Sequence, residues 1–160
     1  MEMVLSIIAV IISLLSGGFA VYVFFWTSIR DRKQATLEVY NRLQTEVFDF
    51  LNTYTPSEIC DICEDAKSVE YKVISGYLAR IEHFCVGINK KIYDENTFYA
   101  LAHGYFDGDA LRKRIKPIIE SKNKYNARTN EIFYNDTISV LMWMDKKSKK
   151  RGKKCLNRGN

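Results

Sequence analysis

The chain has 160 residues, of which 47% are hydrophobic and 27% charged, with two prolines, four cysteines and a formal net charge of +5. That balance excludes a disordered or fibrous chain, and so few cysteines exclude a disulfide-stapled secreted scaffold. The charge is uneven: eight Lys/Arg face one Asp over 145–160, seven face one Glu over 111–128, and the remainder is left at −8, an acidic body with two basic regions.

From Met3 to Ile29 run 27 residues without a charged side chain, bounded by Glu2 and by Arg30-Asp31-Arg32-Lys33. A bilayer core of about 30 Å needs roughly 20 apolar residues, and hydrocarbon satisfies no bare peptide group, so residues 1–29 predict a transmembrane helix. Tyr22 and Trp26 fall near the charged end, where amphipathic rings settle at headgroup level. A signal peptide would want a basic start and a small-residue cleavage site after a shorter core. The one such pattern, Gly18-Phe19-Ala20, lies inside the run. The expectation is a retained anchor, with its N-terminus outside and everything from Arg30 onward in the cytoplasm.

Along this anchor Ser6, Ala9, Ser13, Ser16 and Ala20 recur at alternating spacings of three and four, Thr27 follows seven later, and Gly17 adjoins the stripe. Small residues let helix backbones approach closely, and hydroxyls hydrogen-bond across a helix pair. The stripe predicts a homo-oligomer, in which the same serines can line a narrow polar path.

Residues 30–52 predict a stalk that continues the membrane helix, with Leu37, Tyr40, Leu43/Gln44, Val47 and Phe50/Leu51 on its apolar side. Thr55-Pro56-Ser57-Glu58 restarts the chain as a helix, with threonine at the N-cap, proline at the first position and a capping-box glutamate. A short acidic helix carries Ile59 and Ile62. Ser68–Lys90 is the strongest soluble helix, its core face made of Tyr71, Ile74, Leu78, Ile81, Cys85 and Ile88. Asp94 caps a helix with Phe98, Leu101 and Ala102, weakened near Gly104. Asp107-Gly108-Asp109 then turns into a helix through Leu111, Ile115, Ile118 and Ile119, where Pro117 should make a kink or mark the true start. Over Ile132–Met144, Phe133, Ile138 and Val140 would permit a strand, but Phe133, Thr137, Val140 and Met144 keep helical spacing, and a helix is expected in an otherwise helical chain. The fold class is therefore all-α: the membrane helix and its stalk, a cytosolic helical bundle over 53–145, and a disordered basic tail over 146–160.

No phosphate loop, nucleophile elbow or metalloprotease motif occurs, so the chain reads as a non-enzyme without cofactor. Cys60 and Cys63 have zinc-ligand spacing, but His83 and Cys85 are two apart and point away from each other on a helix, and Cys85 belongs to the apolar face. No metal is expected. The candidate binding site is the basic segment of Arg112, Lys113, Arg114, Lys116, Lys122, Lys124, Tyr125 and Arg128, cations beside a ring, suited to phosphate or nucleic acid. The tail is a candidate for anionic membrane lipid, equally for nucleic acid, or simply for a solubilising segment.

The block from Tyr71 to Ile88, with Leu78, Ile81 and Glu82, then Ile92-Tyr93-Asp94 and Tyr105-Phe106, resembles an uncharacterised family of small bacterial single-span membrane proteins. The likeness covers roughly residues 30 to 145 and transfers no catalytic residue. By architecture the chain is also similar to membrane effectors of bacterial anti-phage systems such as the channel subunit of the Hailong system, held closed by a DNA oligomer from its partner nucleotidyltransferase. Those resemblances imply a bacterial inner-membrane location, a ligand-gated pore in defence, and a DNA or nucleotide oligomer as ligand. The competing expectation is a non-conducting anchor or adaptor that docks a protein.

Overall fold

A computed structural model describes residues 2–103, 105, 106, 109–125 and 133–156. Six helices make up the described chain, and no strand occurs among these residues: α1 (Glu2–Asn52), α2 (Pro56–Glu64), α3 (Val69–Asn89), α4 (Glu95–Ala102), α5 (Asp109–Tyr125) and α6 (Asn135–Leu156).

α1 is one unbroken helix of 51 residues, about 75 Å long at 1.5 Å per residue. Its first half is apolar enough to cross a membrane, and none of its most apolar window is buried by the rest of the chain. Its second half is a core element of the bundle. Thr36, Tyr40, Leu43, Val47, Phe48 and Leu51 are all buried. The stalk thus continues the apolar helix without a break and packs its inner side into the bundle. Two details differ from the periodicity. Leu37, expected inside, is 44% exposed, and Thr36 takes its place at 0%. Phe48 is buried beside Val47 because Gln44–Phe48 form one π-helical turn. The wider turn shifts the register of the residues that follow it, and Phe48 joins Val47 on the core side.

Thr36 fastens the end of the bundle nearest the apolar run of α1. Its hydroxyl donates to Arg32 O at 2.7 Å and accepts from Asp94 N at 2.7 Å, so a buried side chain of α1 ties the N-cap of α4. Thr36→Val keeps the shape but orphans the Asp94 amide, at a cost of about 1–3 kcal/mol. Thermal melts of the full chain in detergent should show the loss, and Thr36→Ser should restore most of it.

Downstream, local chemistry sets the boundaries. The capping box at Thr55 forms as read, with Glu58 N donating to Thr55 Oγ1 and Thr55 N to Glu58 Oε2. These backbone and hydroxyl bonds to Thr55 hold the Glu58 carboxyl below its ordinary range. Ser68 Oγ caps α3 through Tyr71 N, and Asp94 Oδ1 caps α4 through Thr97 N. All six residues expected on the core face of α3 are buried, joined by Phe84 and Gly87. α3 returns along α1, since Arg80 pairs with Glu46 at 2.9 Å and Arg32 reaches Lys91 O.

Gly87 sits where Tyr93 folds back on α3: a Cβ there would collide with the Tyr93 ring, which stacks on Phe84 at 5.2 Å. Gly87→Ala forces that ring aside and should cost about 1–3 kcal/mol, read as a lowered melting temperature.

α5 begins at Asp109, so Pro117 lies inside the helix and does not start it; Gly104, Asp107 and Gly108 are outside the described residues. Leu111, Ile115, Ile118 and Ile119 are buried as their spacing requires. Helical spacing also holds in α6, where Thr137, Val140 and Met144 are buried. The helix then runs on through the basic tail to Leu156 rather than ending at Met144. Once a packed turn is nucleated, each added residue costs little, and Lys147 is held by Asn96 Oδ1 at 3.0 Å and by the rings of Tyr99 and Trp143. The aromatic centre joins α1, α3, α4 and α6: Phe98 packs on Tyr40, Phe84, Phe106 and Trp143.

Candidate functional site

Every residue of the small-residue stripe (Ser6, Ala9, Ser13, Ser16, Gly17, Ala20 and Thr27) is exposed on α1. The helix places them on one face as the spacing requires, and the bundle covers none of them. Ser6 Oγ bonds Glu2 O within the helix.

The basic segment is placed differently from the expectation. Arg112 is no open ligand group: its guanidinium grips Asp145 with two bonds of 2.6 and 2.9 Å and reaches Leu141 O. Forked arginine–carboxylate pairing of this kind locks α5 to α6. Arg114 donates to Tyr54 O at 3.0 Å and serves the turn after α1. Lys116 pairs at 3.6 Å with Glu120 one turn on, in a wet pair worth little. Lys113 and Lys124 are exposed. Tyr125 closes α5 with its side chain outside the described residues, and Arg128 lies outside them altogether. Of the eight proposed ligand residues, Lys122 lines the larger groove described next, while Arg112 and Lys116 line a smaller one of about 440 Å³ between α5 and α6.

That groove, of about 800 Å³, lies between α3, α5 and the start of α6. Lys72, Gly76, Ala79 and His83 form its α3 wall, Lys122 faces them from α5, and Phe133 and Tyr134 close it. Tyr71 also lines it, and its buried Oη has no hydrogen-bond partner among the described residues. Tyr134 holds a left-handed backbone at φ 62° and sets its hydroxyl 3.3 Å from Ser75 Oγ. A non-glycine residue in that region is uncommon and persists where its surroundings fix it. Burial raises the Tyr134 phenol, against the Ser75 bond that lowers it. Glu82 is also in the wall, but its carboxylate is spent on α6, accepting from Asp136 N, Thr137 N and Thr137 Oγ1. What remains for a ligand is two lysines, one histidine, a phenol and ring faces, which suits an anion carrying a flat group. The signal was in the sequence: residues 72, 76, 79 and 83 are spaced four, three and four. They lie on the side of α3 that the apolar stripe leaves open.

The three described cysteines form no common site. Cys60 is exposed, Cys63 half-buried and Cys85 fully buried, and no cluster of metal-ligating side chains occurs among the described residues. Burial, with Cys60 adding to it, pushes the Cys63 thiol up to about 11. Burial pushes the Cys85 thiol far above the usual range, outweighing a bond from Thr137. Thiolate is the reactive form. Maleimide labelling at mildly alkaline pH should therefore modify Cys60 first, Cys63 more slowly, and Cys85 only on unfolding; early labelling of Cys85 would contradict this packing.

The chain belongs to the DUF4760 family, a domain of unknown function whose profile matches residues 8–135. No curated protein and no solved structure matches it.

Proposed function

We propose that this protein is a homo-oligomeric, single-span effector of the bacterial inner membrane. Its N-terminus lies outside and its bundle in the cytoplasm, where the bundle gates a pore formed by copies of α1. The observation that carries the reading is the continuity of α1: one helix has its first half bare and apolar and its second half locked in the core. A ligand that favours one packing of the bundle thereby favours one rotation of the span, without a hinge between them. The exposed serine stripe supplies a polar face for a ring of such helices. The groove at Lys72, His83 and Lys122 takes over the ligand role first given to Arg112 and Arg114, and a nucleotide or oligonucleotide fits its lysines and rings. A place in anti-phage defence rests on the architectural likeness to channel effectors.

The test is conductance of purified protein in planar bilayers. Ser13→Leu with Ser16→Leu should abolish unitary currents while the protein still resists alkaline extraction from membranes. Currents that persist in the double variant would contradict the pore. The adaptor reading draws on one observation, the internal engagement of Arg112 and Arg114, which leaves the α5 face less open to nucleic acid. It predicts no current from the parent protein.

A further inference from the structure

The end of the span carries a second site that the pore reading does not use. A crevice of about 530 Å³ opens between α1 and α4 beside Ile29, the last residue of the apolar run. Arg32 and Lys33 line one side, Asn96 and Thr97 the other, with Asp94 between them. Asp94 Oδ1 is already occupied, accepting from both Thr97 N and Thr97 Oγ1. α6 arrives at the same place. Its Lys147 bonds Asn96 Oδ1, and its turns pass from Trp143 on Phe98 to Lys147 on Asn96, so it advances toward the membrane end of α4. Lys149 and Lys150 lie beyond Lys147 and are exposed. Arg30 sits over the Trp26 ring at 5.9 Å, the pairing of ring and cation suited to the headgroup level at the end of a span.

We propose that this crevice, with the basic end of α6 at its rim, binds the phosphodiester headgroup of an anionic phospholipid. The inference rests on the membrane reading of α1. The chemistry follows from the parts: two cations against the single Asp94 carboxylate leave a positive balance for the phosphate, with the Asn96 amide for headgroup hydroxyls and Ile29 leading to the acyl chains. Basic pockets next to a span on the cytoplasmic side are suited to such headgroups. Their occupant comes from the leaflet because the crevice opens at the depth where lipid phosphates lie. Through Thr36, which bonds both Arg32 O and Asp94 N, the bound headgroup clamps the junction between span and bundle.

The experiment titrates full-length protein in a non-ionic detergent with dihexanoyl phosphatidylglycerol, dihexanoyl phosphatidylcholine and inorganic phosphate, reading adducts by native mass spectrometry. Phosphatidylglycerol adducts should persist where phosphatidylcholine adducts are lost. Removing both cations in Arg32→Ala/Lys33→Ala should weaken them about thirtyfold. Asn96→Asp, which adds a negative charge at an exposed position and keeps the Lys147 contact, should weaken them without touching Arg32. Equal retention of the two lipids, or adducts unchanged in both variants, overturns the site. Saturation by inorganic phosphate at the lipid's concentrations overturns the lipid assignment. Because the readout is made in detergent, its failure is distinguishable from a failure of α1 to insert, which alkaline extraction reports separately.

Discussion

Replacing Phe98 with alanine should cost the fold about 3–5 kcal/mol, the usual range for a fully buried phenylalanine. The side chain is 0% exposed. Its ring meets Tyr40 of α1 at 6.2 Å, Phe84 of α3 at 5.3 Å, Phe106 at 5.3 Å and Trp143 of α6 at 6.4 Å. Three helices from distant parts of the sequence thus close on one residue of α4, and their rings cannot all move in to fill the gap. Burial also pushes the Tyr40 phenol up to about 12, with Tyr105 adding to the effect, so this ring stays neutral in the core. Phe98→Leu should keep more than half of the stability. The check is a thermal melt of the full chain in detergent by circular dichroism, where the alanine variant should lose the bundle's transition and keep the helical signal of the span. Melting with the parent would show that the aromatic centre does not hold the bundle together.

Glu82→Ala should be nearly as damaging, at about 3 kcal/mol, for a different reason. The carboxylate stands in for a capping residue that α6 lacks in its own sequence. It accepts from Asp136 N at 3.1 Å, Thr137 N at 2.8 Å and Thr137 Oγ1 at 2.6 Å, and Thr137 is fully buried. A negative charge at a helix start also opposes the positive end of the helix dipole. Alanine leaves the buried hydroxyl and the helix-start amides without acceptors, each costing about 1–3 kcal/mol where water cannot replace the bond. Glu82→Gln keeps one acceptor oxygen and should lose about half as much. Hydrogen exchange should quicken first at Asp136 and Thr137, then along Ile138 to Leu141. Unchanged exchange there would show that α6 is held by Arg112–Asp145 and core packing alone.

Local rules made most of the fold legible. The capping box at Thr55, the caps at Ser68 and Asp94, and the core face of α3 follow from a few consecutive residues each, and all form as read. The bounds of the apolar run likewise make α1 the one described helix apolar enough to span. What escaped depends on distant parts of the chain. The π turn at Gln44–Phe48 changes the period in mid-helix and hides Phe48 from a 3.6-residue reading, while at the start of the core face the polar Thr36 is buried in place of Leu37. The role of Glu82 as the cap of α6 depends on residues 54 and 55 positions further along the chain. Arg112 and Arg114 read as open cations because their partners, Asp145 and Tyr54 O, lie 33 and 60 residues away. The groove is hidden from a local reading because Lys122 of α5 and Phe133 and Tyr134 before α6 close it from distant parts of the chain.

The claim on which the functional account turns is that the bare half of α1 assembles copies of the chain. The most direct measurement is the particle mass of full-length protein in detergent, taken with absorbance at 260 and 280 nm. The account predicts one closed oligomer, a fixed multiple of 18.6 kDa, that carries nucleic acid or nucleotide and falls apart in Ser13→Leu with Ser16→Leu. A monomer at every concentration, with the absorbance ratio of bare protein, would contradict it.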